Sequence, residues 1–355
     1  MAFLCRDKMT SQERMTALLN RQPVDRVPFY SLAFGFCTLN AGHTIADAYT
    51  NMPLFSEAYA GAIEQYGWDE YTNAGYAAFG PWEFGGGVKW PSGEFAQSPM
   101  PEKMPVVTEE DAYNLKMPDV PTAGYLPLFV DFAQREQKAG RWYSYAIGHP
   151  FTAAGNLCGP DQFAKWVIKK PDVAQHMLQV MTDYLVEMCR YLKDKLGTER
   201  FIPWFGDPTA ANQVISPGQF EKYALPYTKC LHQEVLSMGF KHILCHICGE
   251  QNENYPYWAQ IPMGDPGLIS VSHEVDLERA IQYFPNDIIV GNIEPATIQT
   301  GTPEEVYELT RKVIEKGKKA PGGFMLAPGC EYPPKTPPLN AFMIMKALDD
   351  FGRYD

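Results

Sequence analysis

Short apolar runs alternating with stretches of helical periodicity constrain this chain more than any other feature. Eight runs stand out: Val27–Leu32, Glu70–Gly75, Trp142–Gly148, Phe201–Phe205, His242–Cys248, Leu268–Ser272, Asp287–Gly291 and Gly323–Ala327. Each reads as a strand whose C-terminal end runs into polar or turn-forming residues. Strands buried on both faces belong in a parallel sheet covered by helices. The segments between them fit that role. Pro171–Lys195 places Val173, Met177, Val180, Met181, Tyr184, Leu185, Met188 and Leu192 at three-and-four spacing, the apolar stripe of a helix. Ser216–Gly239 opens on Ser and Pro and stops at Gly, and Asp276–Tyr283, Thr302–Lys316 and Pro338–Phe351 read as further helices. Strand then helix, repeated eight times, predicts an α/β fold of the (β/α)8 TIM-barrel type over an open doubly wound sheet.

A length of 355 residues suits one barrel with insertions, so one domain over 1–355 is expected, with a helical extension over about 1–25. One stretch, about 76–121, breaks the alternation after the second run. Its segment Trp82–Phe95 reads as a hairpin around Gly85–Gly87, and it offers Tyr76, Phe79, Trp82, Phe84, Trp90 and Phe95. Loops after barrel strands build the active face, so this insertion is either a lid over the mouth or plain packing.

Composition narrows the function classes. Hydrophobic residues at 45% and charged residues at 20% exclude a disordered chain. A net charge of -12 disfavours non-specific binding to nucleic acid or to an anionic membrane. No apolar window reaches the length of a membrane span, and the first residues lack a secretory h-region; a cytoplasmic location is expected. In that setting eight cysteines are not a disulfide framework.

The sharpest local feature is His246-Ile247-Cys248. Residues i and i+2 of a strand point the same way. An imidazole and a soft thiolate on one face are what zinc prefers. Cys330 follows the last run and so belongs at the same mouth of the barrel. Three protein ligands with an open fourth position make a catalytic zinc site; the alternative is a buried histidine and two core cysteines. Asp207, ending the fourth run, is a ligand, a proton-handling carboxylate or a helix cap. Glu250 and Glu331 adjoin the proposed ligands, and Asp207 and Glu250 are the candidate catalytic groups. His149, His273, Asn292 and Glu294 end other runs and, with Trp82 of the insertion, are candidates for the substrate pocket. There is no P-loop, no GxSxG elbow and no Rossmann fingerprint.

Glu13-Arg14, Pro23-Val-Asp25-Arg26-Val-Pro28, Ile215-Ser-Pro217, Gly291-Asn292-Ile-Glu294-Pro295 and Gly301-Thr302-Pro303-Glu304-Glu305 together resemble the uroporphyrinogen decarboxylase superfamily along nearly the whole chain. The decarboxylases of that superfamily carry an arginine-rich segment after the first strand, whereas Ser31–Gly42 here has no arginine. The other branch, the corrinoid-dependent methyltransferases, has a His-x-Cys pair and a distant Cys that bind zinc. His246, Cys248 and Cys330 match it, with the Gly-Cys-Glu-x-Pro-Pro context at 329–334. The resemblance implies a zinc-dependent methyltransferase. It also implies a corrinoid carried by a partner protein, since the Asp-x-His-x-x-Gly pattern of cobalamin-binding domains is absent. Zinc then either stabilises a thiolate that attacks methyl-cobalt(III), or polarises a methyl ether for attack by cobalt(I). The ring-rich insertion tips the expectation towards demethylation of an aryl methyl ether. Thiol methylation is the alternative, and a decarboxylase-like lyase a further one.

Overall fold

Burial on both faces is what assembles these runs into a sheet. In the computed structural model, which describes residues 6–93 and 98–354, seven strands pair in parallel and in chain order. They are β1 (Tyr71–Gly75), β4 (Trp142–Gly148), β5 (Trp204–Gly206), β6 (Leu244–Ile247), β7 (Leu268–Val271), β8 (Ile288–Ile293) and β9 (Phe324–Pro328), and every residue in them is buried. The sheet curls as a TIM barrel does, with helices outside. The core runs without a break from Met15 to Leu348. No helix of the described residues is long and apolar enough to cross a membrane.

The first run departs from expectation. Val27–Leu32 forms no strand, only a parallel bridge between Phe29 and Leu326. The Tyr30 N–H donates to the Leu326 carbonyl at 2.8 Å, and the Leu326 N–H to that of Pro28 at 2.9 Å. Pro28 has no N–H to extend a ladder, and Leu32 leaves the run at φ 44°. On its other side the run is tied to β1 by a side chain. Buried Asp69 accepts from the Phe29 N–H at 2.8 Å, from Arg26 Nη1 at 2.8 Å and from Arg14 Nη1 at 2.6 Å. Asp25 accepts from Arg14 Nε at 2.7 Å, and Asp7 from Arg14 and Arg26 at 2.8 and 3.0 Å. Arg14 leaves the Ser11–Leu19 helix, whose N-cap Thr10 is matched by Glu13 in a capping box.

The insertion is a hairpin, but its turn is not at the glycines. Strands β2 (Gly87–Lys89) and β3 (Met100–Lys103) pair antiparallel, so the connection lies between Lys89 and Met100. A Cβ on Gly86 would stand 2.2 Å from the Lys103 carbonyl oxygen, so the glycine permits close approach of two backbones. Phe95 lies outside the described residues. Buried Glu83 anchors the insertion, accepting from the Gly80 and Tyr125 N–H groups and from the Tyr76 hydroxyl. The helices stand close to their expected limits, with one exception. Ser216–Gly239 is not one regular helix: it widens to a π-turn over Phe220–Ala224 before the Leu225–Ser237 helix. Pro226 cannot donate to the carbonyl four residues back, and its ring crowds it.

Removing the buried Asp69 carboxylate leaves two guanidinium groups without their partner. Asp69→Ala is expected to cost about 3–5 kcal/mol in urea unfolding. Acid should open the same seam. Burial raises the Asp25 carboxyl, but the hydrogen bond and charge of Arg14 outweigh it and hold it down to about 2. A depressed folded value means the stabilisation is present above the unfolded value of about 3.9. It is lost as pH falls through about 2. Unfolding midpoints measured from pH 5 to pH 2 should drop accordingly, and less so in Asp25→Asn.

Candidate metal centre

Strand register builds the site. Gly206, His246 and Ser270 are partners across β5, β6 and β7. Side chains of partnered residues share a face, and the Ser270 hydroxyl lies 2.9 Å from His246 Nδ1. That bond fixes the ring and leaves Nε2, which is buried and has no hydrogen-bond partner. Cys248 lies one residue past β6 and Cys330 two residues past β9. A ring nitrogen of His246 and the two Sγ atoms lie within 4.8 Å of one another. Gly329 lets the last loop come this close: its N–H donates to the Ile293 carbonyl at 2.7 Å, and a Cβ there would sit 2.5 Å from the His273 nitrogen.

The donors fit a soft divalent cation. A hydrogen bond from Cys248 outweighs burial and holds the Cys330 thiol well below its usual range, while the same bond and burial push Cys248 up. An orphaned imidazole nitrogen aimed at two such sulfurs carries a desolvation cost that a bound cation removes. The indole of Trp204 stacks on the imidazole, with centroids 5.4 Å apart and planes at 25°. It lies across Gly206, where a Cβ would be 3.0 Å from the ring.

The three donors line a cavity of about 230 Å³ at the C-terminal mouth of the barrel. Its wall is mostly apolar, with Leu32, Phe34, Tyr76, Ile147 and Trp204 prominent, and Thr152 and Glu331 among its polar members. The other proposed site residues stand apart from this wall. Asp207 is fully buried: its Oδ1 accepts from the Thr152 N–H at 3.1 Å and Oγ1 at 2.5 Å, and burial pushes its carboxyl up to about 7 against those bonds. Asp207 thus meets the cavity wall at Thr152, and its Oδ2 is buried with no hydrogen-bond partner. Glu250 accepts from the Asn252 N–H at 2.8 Å and serves a turn.

His149 points outward into the helical layer, its Nε2 2.9 Å from that of His232 and its ring against Phe205 and Trp258. Ala146, Ile147 and Gly148 line the cavity, and the chain turns away from it at His149, where the Pro150–Cys158 helix begins. Asn292 donates to the Ser272 and Val275 carbonyls, Glu294 accepts from Thr297, and His273 lies 4.0 Å from Glu294. These three line a separate shallow depression past β7 and β8. Trp82 packs edge-on against Trp90, with centroids at 5.5 Å, and is no part of the wall. Sequence reasoning missed Ser270, Trp204 and Thr152. Register is the only signal for Ser270, and a tryptophan in an apolar run looks like core. Cys5 lies outside the described residues; of the other described cysteines, Cys37, Cys189 and Cys245 are buried, Cys158 half-buried and Cys230 exposed, and none lines the cavity.

Two substitutions test the centre. Cys248→Ser should lower bound zinc far below one equivalent, read by elemental analysis. Ser270→Ala removes only the group that orients His246, and should weaken zinc by roughly 10–100-fold in chelator competition. Full retention of zinc in both variants would rule out this donor set.

Residues 10–351 match the family described as Uroporphyrinogen decarboxylase (URO-D). The chain is 26% identical to the methylcobamide:CoM methyltransferase MtbA of Methanosarcina mazei, across 96% of this chain and 98% of that protein. It is 28% identical to the MtbA of Methanosarcina acetivorans over the same shares of both proteins. The Methanosarcina mazei methylated-thiol–coenzyme M methyltransferase is 29% identical over 58% of this chain and 53% of its own. A solved structure described as a methyltransferase from Methanosarcina mazei superposes with a TM-score of 0.82, covering 97% of this chain and 99% of that one at 21% identity, and shows the same fold. The chain belongs to the uroporphyrinogen decarboxylase family, and within it sides with the corrinoid-dependent methyltransferases.

Proposed function

We propose that this chain moves a methyl group between a thiol and the cobalt of a corrinoid carried by a separate protein, with zinc held by His246, Cys248 and Cys330. The observation that carries the reading is the convergence of these donors, with His246 Nε2 orphaned, on one apolar cavity at the barrel mouth. The relatives named for methylcobamide, coenzyme M and methylated thiols support a thiol over an ether. An aryl ether was favoured by the ring-rich insertion alone. Among its described residues Tyr76 is the only ring in the wall, because Trp82 and Trp90 pack against each other.

Zinc bound here would act as a Lewis acid that favours the deprotonated form of a substrate thiol. The chain's own residues supply the rest. Ser270 holds the imidazole in one orientation, and Trp204 braces its face. The apolar wall excludes water, so a sulfur nucleophile is less solvated than in bulk. Methyl transfer is an in-line displacement. The carbon–sulfur bond forms as the carbon–cobalt bond breaks, the electron pair stays on cobalt, and the thiol proton leaves for solvent. Asp207 is a positioning residue in this scheme, acting through Thr152. Glu250 takes no part, being committed to Asn252.

With zinc-loaded protein and methylcobalamin, addition of small thiols should bleach the methyl-cobalt absorbance and yield the methyl thioether. Cys330→Ser should reduce this to the uncatalysed background. Trp82→Ala, if folded and zinc-loaded, should leave the preference between thiols and aryl ethers unchanged. Demethylation of an aryl ether by cobalt(I) corrinoid, with no thiol accepted, would overturn the reading.

A further inference from the structure

We propose that the site takes a thiol that bears no negative charge away from its sulfur, and that it discriminates against sulfonate- or carboxylate-bearing thiols such as coenzyme M. The inference rests on the methyl-transfer reading and names the substrate class of that same cavity. An anion withdrawn from water needs a cation or several N–H donors close by. Among the described residues no lysine or arginine lines the cavity, and the one carboxylate in its wall is Glu331.

Six of the eleven arginines are already committed elsewhere. Arg14 and Arg26 are buried in the ion network at the opposite end of the barrel. Arg21 holds Asp265, Arg141 holds Glu136, Arg279 holds the Asn252 carbonyl and Arg353 holds Asp349. The end of the first run and the segment after it contribute Leu32 and Phe34 to the wall, and no cation.

The other ready anion site is a helix N-terminus, and one does abut the wall. The Pro150–Cys158 helix begins beside Gly148 and presents Thr152. Pro150 has no N–H to offer, and the Thr152 N–H already donates to the chain's own Asp207. A negatively charged tail would therefore meet apolar side chains, a helix end already facing the Asp207 carboxylate, and a second carboxylate, Glu331. An alkyl or small uncharged tail meets a wall of matching polarity, and a cavity of about 230 Å³ suits only a small one.

The test uses three tails of similar length: propyl, aminoethyl and sulfonatoethyl. Binding of their S-methyl thioethers to the full chain is measured by calorimetry, which needs no methyl transfer. In parallel, kcat/KM is measured for the three parent thiols with methylcobalamin. The sulfonate should be the weakest in both, by about tenfold or more against propyl. Ala77→Arg places a guanidinium at an exposed wall position outside the proposed ligand set. It should raise the sulfonate-to-propyl ratio by about tenfold, and within-thiol ratios between variant and parent cancel differences in thiol acidity. Equal or stronger binding of the sulfonate by the unmodified protein would overturn the proposal, as would a folded Ala77→Arg with an unchanged ratio. Tail selectivity in calorimetry without any thiol methylation would uphold the charge selection and refute the methyl-transfer reading instead.

Discussion

The carboxylate of Asp69 accepts two guanidinium donors and a backbone N–H at once, and the barrel depends on that meeting point. A parallel sheet that curls through seven strands still has two edges. One is met by the backbone of Pro28 and Tyr30, the other by a side chain acting where a ladder would otherwise run. Three elements distant in sequence share this seam: the first helix, the Val27–Leu32 run and the start of β1. Ion pairs this deeply buried return their desolvation cost only when every donor and acceptor is matched. Here the guanidinium groups of Arg14 and Arg26 are surrounded by Asp7, Asp25 and Asp69.

Closure at that end sets the geometry at the other. Cys248 and Cys330 follow strands separated by β7 and β8, and they meet because the sheet curves enough to face them across its mouth. Within that curve the details are local. Ser270 stands beside His246 by register, Trp204 lies flat over a glycine, and Gly329 brings the final loop against β8. None of these groups touches a substrate directly by virtue of sequence proximity to the ligands; each is delivered by strand pairing.

The alternation of apolar runs and helices was legible because burial on two faces leaves a compositional imprint, and so was the His-x-Cys pair, because a strand repeats every two residues. What sequence could not convey was direction at a strand end. His149 and Asp207 both follow lining glycines, yet His149 turns to His232 in the helical layer and Asp207 to Thr152 of the wall. Trp82 follows the packing alternative for the insertion: its ring meets a second ring, Trp90, and not the cavity. The first run stops short of a strand at both ends: at Pro28, whose missing N–H is plain in sequence but whose consequence depends on which side its neighbour lies, and at Leu32, whose positive φ is not. The motifs around Glu13-Arg14 and Asp25-Arg26 carried the family resemblance, yet their physical task is the seam and not the chemistry.

The seam lies before the strands begin and the donor cluster after they end. A strand of five residues spans roughly 17 Å, so the two clusters share no side chain and lie beyond the range at which substitutions usually couple. Changes at the mouth and changes at the base should then be energetically additive. Such a barrel can trade one set of mouth residues for another without renegotiating its folding. A scaffold divided in this way is free to diverge in chemistry while its architecture stays put, and that is one physical route by which decarboxylases and methyltransferases can share a single fold.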